Sequence, residues 1–101
     1  MAADRLFTKR DAKVRAHLLQ YAPVWIIDEK LVPSDESIQF NVLFQHNLYG
    51  WVNRRYLYDG FNDVLYHKGQ TVADDEIVSE VTARDPYIAA VVADIPNAYG
   101  G

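Results

Sequence analysis

The stretch Ser37-Ile38-Gln39-Phe40-Asn41-Val42-Leu43-Phe44-Gln45-His46 places Ile38, Phe40, Val42 and Phe44 on one side and the amides Gln39, Asn41 and Gln45 on the other. Period two marks a strand with one dry face and one wet face, and only Leu43 departs from it. Two further runs follow, residues 48–58 and 63–68, separated by short turn-forming gaps. The three together read as an antiparallel meander. In the gap 59–62, Asp59-Gly60-Phe61-Asn62 supplies Asp-Gly and Asn turn chemistry, Gly50 suits a bulge or a close backbone approach, and Gly69 reads as the end of the sheet. The apolar run Val24-Trp25-Ile26-Ile27 is too short for a helix and reads as a further strand paired with the first. Asp28-Glu29-Lys30 would then turn the chain, and Pro33-Ser34-Asp35-Glu36 forms the loop into the meander.

Helical signals flank the strands. From Thr8, a candidate N-cap, nothing breaks a helix until Pro23. At a hundred degrees per residue, Phe7, Val14, Leu18, Tyr21 and Ala22 gather into one stripe, with Lys9, Lys13, His17 and Gln20 facing away. After the meander, Thr71 or Asp74 caps a second helix whose first turn carries Asp74, Asp75 and Glu76, suited to the positive helix end, and whose inward stripe is Ile77, Val78 and Val81. Asp85-Pro86 is another start signal, leading into Tyr87-Ile88-Ala89-Ala90-Val91-Val92-Ala93, a short helix by its flanks or a strand by its valines. The pattern as a whole predicts an α+β fold: an antiparallel meander of three or four strands, with an N-terminal helix and one or two C-terminal helices packed on one face. The 101 residues make a single domain, with loose tails at 1–5 and 97–101.

Composition narrows the chemistry. Half the residues are apolar and 24% charged, the balance of an ordinary globular protein. Cysteine is absent, which excludes disulfides, thiolate metal sites and a cysteine nucleophile. No apolar leader or membrane-length run is present, pointing to a cytoplasmic protein without membrane attachment. Charge is polarised: residues 1–20 balance at +3 and residues 71–101 at −5, within a net −4. Such asymmetry can orient one copy against another or steer a charged partner.

Three constellations carry possible chemistry. Trp51, Arg54, Arg55, Tyr56 and Tyr58, with Tyr49 beside them, combine ring faces and guanidinium groups, which suits stacked bases and phosphates or a protein surface. The acidic net charge opposes the nucleic-acid reading. His46 and His67 lie near strand ends, where with Asp59 or Asp63 they could hold zinc or share acid-base work, although their spacing matches no ligand motif. Asp59-Gly60-Phe61-Asn62-Asp63 lacks the ligand spacing of a calcium loop, and the serines sit in no nucleophile elbow. The apolar run 87–93 suits either this chain's core or a subunit interface. The expected function is a small non-enzymatic protein-binding or assembly module that self-associates, with binding residues Trp51, Arg54, Arg55, Tyr56 and Tyr58 and with no metal or other cofactor. The alternatives are a single-stranded nucleic-acid-binding domain using that strand, with Lys9, Arg10 and Lys13 assisting, and a metal- or histidine-dependent enzyme using His46 and His67.

Overall fold

The structure is a computed structural model that describes residues 2–84 and 86. Helix α1, Ala2–Leu18, runs into a single 3-10 turn, Leu19–Tyr21. Strands β1 (Trp25–Val32), β2 (Ser37–His46), β3 (Gly50–Asp59) and β4 (Val64–Val72) form one antiparallel sheet in the order β1-β2-β3-β4, and α2, Asp75–Thr82, follows. The α+β meander with a helix at each end is therefore the fold, with four strands. The sequence 87–93 and the tail 97–101 lie outside the described residues.

The alternation of β2 sets the layering. Ile38, Phe40, Val42 and Phe44 are at most 1% exposed, and they meet Tyr58, Tyr56, Arg54 and Val52 of β3 in register. Val14 and Leu18 of α1 close over this face, with Leu6, Phe7 and Tyr21 at the margin. α2 takes the opposite face. Its Val81, with Ile77 and Val78, packs on Trp25, Ile27, Leu43 and Trp51, whose side chains alternate with those under α1. The expectation of both helices on one face is corrected here. Leu43 is fully buried although it breaks the β2 alternation, because a second apolar layer lies on its side of the sheet.

Several boundaries also differ, each for a local reason. α1 starts at Ala2 rather than after a tail, since residues 2–7 contain no breaker, and the Thr8 hydroxyl donates back to the Asp4 carbonyl (2.9 Å) instead of capping. Asp28-Glu29-Lys30 does not turn the chain. Asp28 and Glu29 together oppose Phe40 in a β-bulge, with Asp28 at φ 55° and its carboxylate accepting from Asn41 Nδ2 (3.2 Å). The extra residue keeps both Ile26 and Leu31 on the α1 face, although they are five apart. Gly69 does not end the sheet either: Arg55 faces Gly69 and Tyr56 faces His67, so Lys68 is bulged out and β4 continues to Val72. Gly50, at φ +73°, closes the β2–β3 hairpin.

The β1 bulge has a further effect. Arg10, counted among the surface charges in the sequence, is 2% exposed. Its guanidinium lies 4.7 Å from the Phe40 ring centroid and 5.2 Å from that of Phe7, with Nε on Asp11 (2.8 Å) and Nη2 on the bulge residue Glu29 (3.4 Å). The aliphatic stem thus fills the helical stripe at the position between Phe7 and Val14.

Truncating the stem should matter more than removing the charge. Arg10→Ala is expected to lose about 2–4 kcal/mol by urea denaturation, and Arg10→Met less than half of that; equal losses would show that the ion pairs, not the packing, hold α1. At Gly60 an added Cβ would meet the Glu36 carbonyl oxygen at 2.6 Å as well as the Leu6 side chain. Gly60→Ala is therefore expected to lower stability by about 1–3 kcal/mol, and an unchanged thermal midpoint would contradict the packing of the β3–β4 loop against α1.

Candidate functional site

The five binding residues expected from β3 do not share a surface. Strand alternation sends Arg54, Tyr56 and Tyr58 to the α1 face and Trp51 and Arg55 to the other. Tyr56 and Tyr58 are at most 1% exposed, so their rings are core and have no face free for a stacked base. Trp51 is half-buried beside Trp25, ring centroids 5.8 Å apart, whereas Arg55 is exposed. Tyr49, 62% exposed, sits in the β2–β3 turn.

His46 and His67 are also apart. His46 faces Gly50 at one end of the sheet, while His67 faces Tyr56, six residues further along β3, about 20 Å at the rise of a strand. The expected histidine pair is thus not formed. His46 instead accepts the Leu48 N–H at Nδ1 (3.0 Å) and stacks between Tyr21 and Tyr49, closing the hairpin. Among the described residues no group of three His, Asp or Glu side chains could hold a metal ion. No helix of the described residues is long and apolar enough to cross a membrane.

Three surfaces are assembled instead. The first is an open cleft of about 460 Å³ at the end of the sheet, where Trp25 and Trp51 meet Gln20, Pro23, Gln45 and Thr82. Trp25 Nε1 donates to the Arg84 carbonyl (3.2 Å), fixing one wall. The second is the part of the α2-side face that α2 leaves uncovered. Here Arg55, Val64 and Tyr66 are exposed and Leu57 is half-buried, next to Gln39 and Asp59. Leu57 alone of these apolar residues has a neighbour on each side, Gln39 and Tyr66.

The third surface lies where α1 passes over β4. Arg54 is half-buried, its guanidinium 4.9 Å from the Phe44 centroid, with Nε donating to Gln70 Oε1 (2.7 Å) and Nη1 to Tyr56 Oη (2.9 Å). His17 and His67 both pack on the Tyr56 ring, each at 5.8 Å between centroids. Burial raises the Tyr56 phenol above its ordinary value, against the opposing hydrogen bond from Arg54. His17 was expected to face water only. Its ring is exposed, yet burial on its inner side, and then the charges of Arg54 and His67, depress its pKa. No spacing rule could have joined His17 to His67, because a helix and an edge strand fifty residues apart meet only through the tertiary fold.

The β3–β4 loop is held by carboxylates. Asp59 accepts from the backbone of Phe61 and Asn62 and from Asn62 Nδ2, and Asp63 accepts the Tyr58 hydroxyl (2.6 Å) and pairs with Lys13 (3.3 Å). The Asn62 side chain, then its backbone N–H, lowers the Asp59 pKa; the Tyr58 hydroxyl, then Lys13, lowers that of Asp63. Burial first, then the Asp63 hydrogen bond, pushes Tyr58 well above its ordinary value.

Compared with known proteins, the chain matches no family model, no curated protein sequence and no solved structure.

Carboxylates with lowered folded pKa values stabilise the native state above their unfolded value of about 3.9, and that contribution is lost as pH falls through the folded values. The thermal midpoint should therefore drop below about pH 4. In Asp63→Asn the drop should be shallower, with the wild-type and variant curves converging as pH approaches about 2. Parallel curves across that range would remove Asp63 from the acid response.

Proposed function

We propose that the protein is a small non-enzymatic binding and assembly module that self-associates through the open part of its α2-side sheet face. The observation that carries this reading is the exposure of Arg55, Val64 and Tyr66 around Leu57 on a face that α2 covers at one end only. Aromatic and arginine side chains around an aliphatic centre are the composition of protein interfaces. A second copy suits the charge pattern. Arg55 and Asp59 stand on the same face of β3 with Leu57 between them, so docking about a two-fold axis that passes over Leu57 and runs across the strands sets Arg55 of each copy against Asp59 of the other.

Size sets the strength. Strands lie about 4.8 Å apart and same-face residues about 6.8 Å apart, so the open patch measures roughly 15 Å by 15 Å. That is well below the roughly 800 Å² per partner of a stable complex, and the association is weak. A nucleic-acid reading gains nothing from the geometry, because the tyrosines it relied on lie under α1.

Sedimentation equilibrium from about 10 μM to about 1 mM should show a mass that rises with concentration, and Leu57→Lys or Arg55→Glu should return it to that of one chain. A constant monomer mass over that range ends the proposal. So does a Leu57→Lys variant that melts several degrees lower with no change of mass, since the face would then be covered within one chain.

A further inference from the structure

The cluster where α1 passes over β4 gathers an arginine and two histidines around one tyrosine. Two other buried or half-buried cations have acidic partners: Arg10 pairs with Asp11 and Glu29, and Lys13 with Asp63. At Arg54 the neighbours are a neutral amide, a phenol and two imidazoles, and no described carboxylate lies within ion-pair distance of Arg54, His17 or His67. The groups that face the cluster are His17 from α1, Tyr21 from the 3-10 turn after it, Arg54 and Tyr56 from β3, and His67 and Gln70 from β4. In the β3–β4 loop, Asp63 is occupied by Lys13 and by the Tyr58 hydroxyl.

The guanidinium is also pre-oriented. Phe44 and Tyr56 lie against it at 4.9 and 5.9 Å, and Gln70 and Tyr56 hold Nε and Nη1, which leaves Nη2 as the donor without a described acceptor. His17 and His67 are solvent-exposed beside it and Gln70 is half-exposed, so the cluster opens to water. An acidic protein that gathers an arginine and two histidines around one tyrosine, with no counter-charge among the described residues, has built a local positive field that a small anion would neutralise.

We propose that Arg54, His17 and His67 form a binding site for a tetrahedral oxyanion, the terminal phosphate of a small ligand. A fixed guanidinium supplies directional donors to oxygen, and the two imidazoles add charge-assisted donors on protonation. In the free protein burial, and then the charges of Arg54 and His67, lower the pKa of His17; a bound dianion would oppose that and favour a proton on the ring. Binding is thus coupled to proton uptake and strengthens as pH falls. This site lies on the α1 face and does not depend on self-association through the other face.

Sulfate is the suitable probe, because it stays a dianion where a phosphate ester, with a second pKa of about 6, changes its own charge. Histidine ring protons followed by NMR should show saturable shifts of His17 and His67 with sulfate at about pH 5.5, and an affinity at least roughly tenfold lower at about pH 8. His67→Gln, at an exposed position, should weaken binding several-fold at the lower pH and leave the higher-pH value unchanged. Arg54→Gln should abolish binding at both, and if it fails to fold, His17→Gln takes its place with the same expectation as His67→Gln. Inorganic phosphate should compete with sulfate. Shifts that chloride reproduces at equal ionic strength, acetate binding as tightly as sulfate, or wild-type affinity indifferent to pH would each overturn the site.

Discussion

The burial of Ile38, Phe40, Val42 and Phe44 under α1 is the constraint from which the rest of the structure follows. Four side chains of this size, removed from water, contribute on the order of 10 kcal/mol of gross transfer free energy, comparable with the entire net stability of a small domain. Shifting β2 by one residue against β3 would take all four off the α1 face and put Gln39, Asn41 and Gln45 there instead, so the register is fixed by a large energy gap. With β2 fixed, Tyr56 and Tyr58 are committed to the same layer, and α1 has only one face of the sheet to cover.

That commitment explains how a strand with polar and aromatic groups on both sides is used. β3 is central, with β2 on one side and β4 on the other, and each of its faces meets a different helix. The tyrosines serve the larger core, and Trp51 serves the smaller core under α2. Arg55 and Leu57 are left at the margin where α2 stops. The part of that face left open by α2 therefore follows from the length of the helix, eight residues, against a sheet whose central strands have ten.

Two arginines show how context decides the role of a charge. Arg10 and Arg54 both lie over aromatic rings on the α1 face. Arg10 is enclosed, and the β1 bulge places Glu29 where it can compensate the charge, which makes it a structural pin. Arg54 meets only neutral or titratable neighbours and stays half-open to water, and the proposed anion site rests on that difference.

The sequence by itself determined the element order and the β2 faces, because period-two burial and turn chemistry are local properties written residue by residue. It also determined the inward stripe of α2, since Ile77, Val78 and Val81 follow the helical period. Leu43 held the remaining clue: an apolar residue on the wet side of a clean alternation implies a second layer there, and Trp25, Ile27 and Trp51 share its side. Only the tertiary structure decided the side of the sheet on which α2 lies, the burial of Arg10, and the meeting of His17 with His67. The helix sides depend on how the connection after Val72 leaves the sheet, and the two bulges shift side chains without any strong mark in the sequence. Contacts between α1 and β4 join residues far apart along the chain, and no local period encodes a distance of that kind.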